Sequence, residues 1–121
     1  MFRIVVFDYF SSAHQLKGYQ GQCEEVHGHN WKVEVELAGD RLDDIGLLVD
    51  FRAVKKILKN ILDGLDHKML NQVPPFDRIN PSSELIARHI YTRFKQQLTG
   101  DAKVNSITVW ESENSRAIYS E

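Results

Sequence analysis

Between Asn30 and Ala38 the chain alternates without a break. Trp31, Val33, Val35 and Leu37 are apolar, and Lys32, Glu34 and Glu36 between them are charged. Wound as a helix, this run would scatter its apolar side chains around the axis; as a strand it places them all on one face. A strand with one apolar and one charged face needs neighbours on both edges and a layer over its apolar face. The rest of the chain supplies both. Arg3 to His14 is rich in Phe, Val, Ile and Tyr and reads as a preceding strand. Lys17 to Gln22, with two glycines, reads as a loop, and Gly39 to Gly46, with three aspartates, as a turn. Asp50 is a good N-cap for a helix whose Phe51, Val54, Ile57, Leu58, Ile61, Leu62 and Leu65 share a face, ending at Gly64. After Pro74 and Pro75, Asn80 and Pro81 read as the N-cap and first residue of a second helix. Its stripe is Leu85, Ile86, Ile90, Phe94 and Leu98, and it stops near Gly100. Val104 to Glu111 and Arg116 to Ser120 are strand-like runs around the turn Ser112 to Ser115. Two strands, two helices and two strands predict an α+β domain spanning 1–121: a four-stranded antiparallel sheet with both helices on one face. With no third layer, the other face predicts a homo-oligomer.

The charge and cysteine content exclude several functions. Fifteen basic against seventeen acidic residues give a net charge of −2, so no basic field is available for nucleic acid. No apolar run is long enough to span a membrane. The N-terminal MFRIVVFDYF has no cleavage pattern of a signal peptide, and the single cysteine, Cys23, cannot form an internal disulfide; both favour a reducing cytoplasm.

Histidine placement points to chemistry. His27-Gly28-His29 puts two imidazoles at i and i+2, on one face of a strand. His14 ends the preceding strand, and antiparallel pairing of the two strands brings it to the same point. Three neutral imidazoles suit Zn²⁺ and leave a fourth position open, an arrangement of catalytic rather than closed structural sites. Ordinary surface or core histidines are the competing reading. Cys23 lies four residues before His27 in the polar run GYQGQCEE. It is a reactive thiol, a fourth ligand that would close the site, or a small buried hydrophobe.

Two further features have competing readings. Asp66-His67 is a carboxylate-oriented proton relay, or a cation on a helix C-terminus. Glu111 continues the apolar parity of Ile107 and Val109. An inward carboxylate needs a partner, either a ligand with two adjacent N–H donors or Arg116; alternatively it lies past the strand end in solvent. Ser82 and Ser83 are first-turn residues of the second helix, and His89 is a core histidine.

Phe10-Ser-Ser-Ala-His14, Cys23-x-x-x-His27-Gly28-His29-Asn30, Val49-Asp50-Phe51, Leu65-Asp66-His67-x-x-Leu70-Asn71, Asn80-Pro81-Ser82-Ser83-Glu84 and Glu111 together resemble the 6-pyruvoyl-tetrahydropterin synthase family. The short interval from Cys23 to the HGH triplet is most similar to its bacterial and archaeal 6-carboxy-tetrahydropterin synthases of queuosine synthesis. The resemblance implies the tunnelling fold, in which sheets from several subunits join into a barrel, commonly as trimeric rings that stack, with active sites between subunits. It implies zinc on His14, His27 and His29, and Cys23 as general base and proton donor assisted by Asp66 and His67. It also implies Glu111 as the anchor of the pterin's amino-pyrimidine edge, with Ser82 and Ser83 nearby. The implied reaction is the conversion of 7,8-dihydroneopterin triphosphate to 6-carboxy-tetrahydropterin, acetaldehyde and triphosphate. The alternatives are triphosphate elimination only, giving 6-pyruvoyl-tetrahydropterin, and a non-enzymatic zinc- or pterin-binding oligomer. Some relatives use glutamate in place of the cysteine; Glu24 and Glu25 keep open a side activity on dihydroneopterin-type side chains. Lys17, Lys32, Arg52 and Lys68 are undiscriminated candidates for the triphosphate.

Overall fold

The computed structural model describes residues 1–22 and 24–121. Its elements run in the order β1 (Phe2–His14), β2 (His27–Gly39), α1 (Phe51–Asp63), a 3₁₀ turn (Leu70–Gln72), α2 (Ser83–Gln97), β3 (Lys103–Ser112) and β4 (Ser115–Tyr119). The four strands form one antiparallel sheet in sequence order. Both helices lie on one face, as the α+β reading expects: α1 packs on β1, and α2 on β3 and β4.

The period-two rule decides which side chains meet the helices. Val6 and Phe10 from β1, Trp31, Val33, Val35 and Leu37 from β2, and Ile107 and Val109 from β3 are buried. They pack against Val54, Leu58, Ile61 and Leu62 of α1 and Ile86, Ile90 and Phe94 of α2. The opposite face carries Lys32, Glu34 and Glu36 beside exposed Val5, Phe7, Tyr9 and Ile118. Among the described residues no layer covers it.

Asp50 caps α1 as expected, accepting from the backbone N–H of Arg52, and Gly64 closes the helix. The start of α2 differs from the expectation. Its N-cap is Ser82, whose hydroxyl accepts from the backbone N–H of Leu85 at 3.2 Å, and Pro81 lies before the helix. Asn80 is unavailable for capping because its side-chain amide is spent on the β1–β2 loop. It accepts from the Lys17 N–H and donates to the Lys17 carbonyl, both at 2.8 Å. Leu98 is the C-cap of α2 rather than part of its stripe. Among the described residues no helix is long and apolar enough to cross a membrane.

Candidate metal centre

The register of β1 against β2 builds the site. His14 pairs with His27 and Ser12 with His29. Odd positions of β2 and even positions of β1 share the inner face, so three imidazoles converge at one end of the sheet, just beyond Trp31. Ring centroids are 4.6 Å apart for His14 and His27, 4.6 Å for His27 and His29, and 5.3 Å for His14 and His29. Trp31 forms the floor, fully buried, edge-on to His14 and His29, with its indole N–H donating to the Ser12 carbonyl.

Glu111 joins this cluster. Its Oε1 lies 3.1 Å from Nε2 of His14, 3.1 Å from Nε2 of His29 and 3.7 Å from Nε2 of His27. One ligand atom from each of the four residues falls within 4.8 Å of all the others. Sequence reasoning gave Glu111 its inward parity but not its neighbours. Arg116, the alternative partner, instead holds its guanidinium 4.8 Å over the Trp110 ring.

The hydrogen bonds behind the imidazoles show what this cluster is made to hold. His14 Nδ1 donates to the Pro81 carbonyl at 2.7 Å, and His27 Nδ1 to the Glu25 carbonyl at 2.9 Å. A neutral imidazole carries one N–H, so each Nε2 then presents a lone pair. Those two nitrogens face each other at 3.0 Å. His29 Nε2 is buried with no hydrogen-bond partner, and burial, ahead of the neighbouring charges, holds this imidazole below its ordinary range, in the neutral form. The Nε2 atoms of His14 and His27 and a carboxylate oxygen thus crowd one point. A shared proton or a bound metal ion resolves that crowding, and backbone carbonyls on the far nitrogens are the usual device for orienting metal-ligating histidines. Three imidazoles with a carboxylate oxygen form a group that could hold a divalent transition metal.

Cys23 lies outside the described residues. Glu24 folds inward, with Oε1 accepting from the Leu16 N–H at 3.1 Å and lying 3.8 Å from His27 Nδ1. Asp66 and His67 do not join the cluster. Their segment is clamped to the outer edge of β1: Asp66 Oδ1 accepts from the Ser11 N–H, the His67 N–H donates to the Ser11 carbonyl, and the Ala13 N–H donates to the Lys68 carbonyl. The buried Ser12 hydroxyl donates to the Leu65 carbonyl and accepts from the Lys68 N–H. Pinned on both sides, His67 takes a left-handed backbone (φ 54°) that carries its side chain 82% exposed into solvent. Asp66 Oδ2 stays 2.9 Å from His67 Nδ1. The Ser11 N–H, with His67 next, holds the Asp66 carboxyl below the usual carboxylate range, so it stays ionised. The helix-dipole reading of His67 is excluded, since α1 closes at Gly64 three residues earlier. Ser82 caps α2 next to Pro81, one residue from the carbonyl that orients His14, and Ser83 opens the helix. His89 is half-buried, edge-on to Phe76 at 5.3 Å.

Comparison with known proteins bears on the chain as a whole. The sequence profile of the family described as 6-pyruvoyl tetrahydropterin synthase matches residues 3–121. The 6-carboxy-5,6,7,8-tetrahydropterin synthase of Haemophilus influenzae is 32% identical over 145 aligned positions, covering 100% of both chains. The dihydroneopterin monophosphate aldolase of Pyrococcus furiosus is 34% identical over 109 residues, 90% of this chain and 89% of the relative. The 6-pyruvoyl tetrahydropterin synthase structure of Caenorhabditis elegans superposes with a TM-score of 0.85 over 99% of this chain and 95% of that one, at 23% identity. That likeness establishes the fold. With the profile spanning nearly every residue and relatives above 30% identity along most of their lengths, the chain belongs to the 6-pyruvoyl tetrahydropterin synthase family.

Proposed function

We propose that this protein is a zinc-dependent lyase of 7-deazaguanine and queuosine synthesis. With water, it converts 7,8-dihydroneopterin triphosphate to 6-carboxy-5,6,7,8-tetrahydropterin, acetaldehyde and triphosphate. The observation that carries the reading is the convergence of His14, His27 and His29 on one point, beside a cavity lined by His29 and Glu111. The Haemophilus relative, matched along its whole length, supports the choice of product.

His14, His27 and His29 are the ligands in this proposal. When bound, zinc supplies a Lewis acid that polarises side-chain oxygens of the substrate. Glu111 contacts the imidazoles only through Oε1. Once the imidazole lone pairs are committed to a cation, both carboxylate oxygens are free to accept the two adjacent N–H groups of the amino-pyrimidine edge. Ser82 and Ser83, at the start of α2 beside His14, are assigned to the same substrate. Cys23 is the general base and proton donor on one face. Asp66 receives Nδ1–H of His67, which leaves Nε2 to take or deliver a proton and makes the charged ring stable when it forms. Because His67 points away from its own chain's cluster, it serves a site completed by a neighbouring subunit.

A second reading, aldol cleavage of the dihydroneopterin side chain, is favoured by the Pyrococcus relative and by the inward fold of Glu24 beside His27. Mass analysis of the products from dihydroneopterin triphosphate, with and without chelator, separates the readings. Acetaldehyde and the carboxy-pterin are expected, and both vanish with chelator. A pyruvoyl-pterin without acetaldehyde, or a hydroxymethyl-pterin from the retro-aldol route, overturns the choice of reaction.

A further inference from the structure

We infer that Lys32 is the phosphate-binding residue of this site, the group that recognises the polyanionic end of the substrate; this rests on the pterin-triphosphate reading above. Four basic residues, Lys17, Lys32, Arg52 and Lys68, are indistinguishable in the sequence, and the fold separates them. Lys17 lines a different cavity with Arg78 and Asn80, and Lys68 lies beside His67, on the side that faces a neighbouring subunit's site and away from its own chain's imidazoles. Arg52 is 91% exposed and paired to its own helix cap, Asp50, at 3.2 Å. Lys32 alone shares a cavity, about 680 Å³, with His29 and Glu111. Among the described residues that line this cavity it is the only cation, and Glu113 joins Glu111 on the acidic side.

The path between metal centre and lysine is open for a structural reason. His29 faces inward, while Gly28, Asn30 and Lys32 face the outer side of the sheet, so the cavity wraps over the end of β2 from one face to the other. Gly28 sits at this turnover. A Cβ there would meet nothing within 4 Å, so the glycine leaves free space where a side chain would narrow the passage. Three residues of strand, about 10 Å, separate His29 from Lys32. That suits a ligand whose polar side chain engages the imidazoles while a chain of phosphoryl groups runs along the outer face.

Lys32 is also held for the purpose. Its ammonium lies 4.3 Å over the Phe7 ring and 5.9 Å from the Trp110 ring centroid, with Glu34 Oε1 at 3.4 Å. The aromatic faces take up part of its charge without using its N–H donors. An ammonium has three donors, so one ion pair to Glu34 leaves others for phosphate oxygens. Removing the lysine leaves Glu111 and Glu113 as the charged side chains of the lining beside His29, which weakens the hold on a triphosphate.

The test uses the zinc-loaded protein and two unreactive, fully oxidised probes, neopterin and neopterin triphosphate, titrated by calorimetry. Wild type is expected to bind the triphosphate more tightly than neopterin. Lys32→Met keeps the stem over Phe7 and removes the charge. It is expected to weaken triphosphate binding by about tenfold to a hundredfold, the range of a charge-assisted hydrogen bond, with neopterin affinity unchanged. Lys32→Arg should restore most of the loss. If Lys32→Met keeps the preference for the triphosphate, or weakens both probes equally, the assignment is wrong while pterin binding stands. If wild type binds neither probe, the pterin reading itself fails and the subsite with it.

Discussion

Metal removal gives the sharpest test of the centre, because the folded protein without a cation holds two imidazole lone pairs face to face at 3.0 Å, with a carboxylate beside them. A cation that binds only the folded chain adds RT ln(1 + [L]/Kd) to its stability, about 4 kcal/mol when free zinc is a thousandfold above Kd. For 121 residues the unfolding entropy is roughly 0.25 kcal/mol/K, so the melting temperature should rise by about 16 °C over the chelated protein. Scanning calorimetry across a zinc series, with metal content measured in parallel, reads both quantities. One ion per chain is expected, with the shift growing logarithmically in zinc. His14→Ala, His27→Ala and His29→Ala should each abolish most of the shift. A melting temperature indifferent to zinc, or a shift that survives loss of two of the three histidines, refutes the lone-pair argument.

Three further outcomes follow from the same geometry. Glu111→Gln should retain zinc while losing pterin affinity by tenfold or more, since an amide offers one acceptor where the amino-pyrimidine edge needs two; loss of zinc in this variant would make Glu111 a ligand and close the open position. Ser82→Ala removes the α2 cap bond to Leu85 and should cost about 1 kcal/mol, or about 4 °C in melting temperature, whereas Asn80→Ala should instead loosen the Lys17 loop, seen as faster amide exchange at Lys17. His89 is held below its ordinary value of 6.5 chiefly by burial and then by Arg93, so the unfolded chain takes up its proton first as pH falls. The stability that neutral His89 gives is therefore complete above pH 6.5 and declines below it, and denaturant midpoints of wild type against His89→Gln between pH 7.5 and 5 should diverge only on the acid side.

Whatever a local pattern encodes is legible in the sequence alone. The alternation of Trp31, Val33, Val35 and Leu37 sets the parity of β2, and that parity carries His27 and His29 to the core face together. Asp50 and Gly64 bracket α1 by short-range hydrogen bonds that depend on residues within a few positions. The spacing of Glu111 to Ile107 and Val109 offers its inward setting as one of two readings, and the fold decides for it. Pairing across long separations is different, because it depends on hydrogen bonds between segments that no periodicity connects. The register that sets His14 opposite His27, the Pro81 carbonyl that turns His14's lone pair inward, and the Ser11 clamp that turns His67 outward all join residues far apart in the chain. The same competition moves the α2 cap from Asn80 to Ser82, because the Lys17 backbone claims the asparagine. Parity and capping are properties of a segment, whereas the meeting of three imidazoles and a carboxylate at one point is a property of how the segments dock.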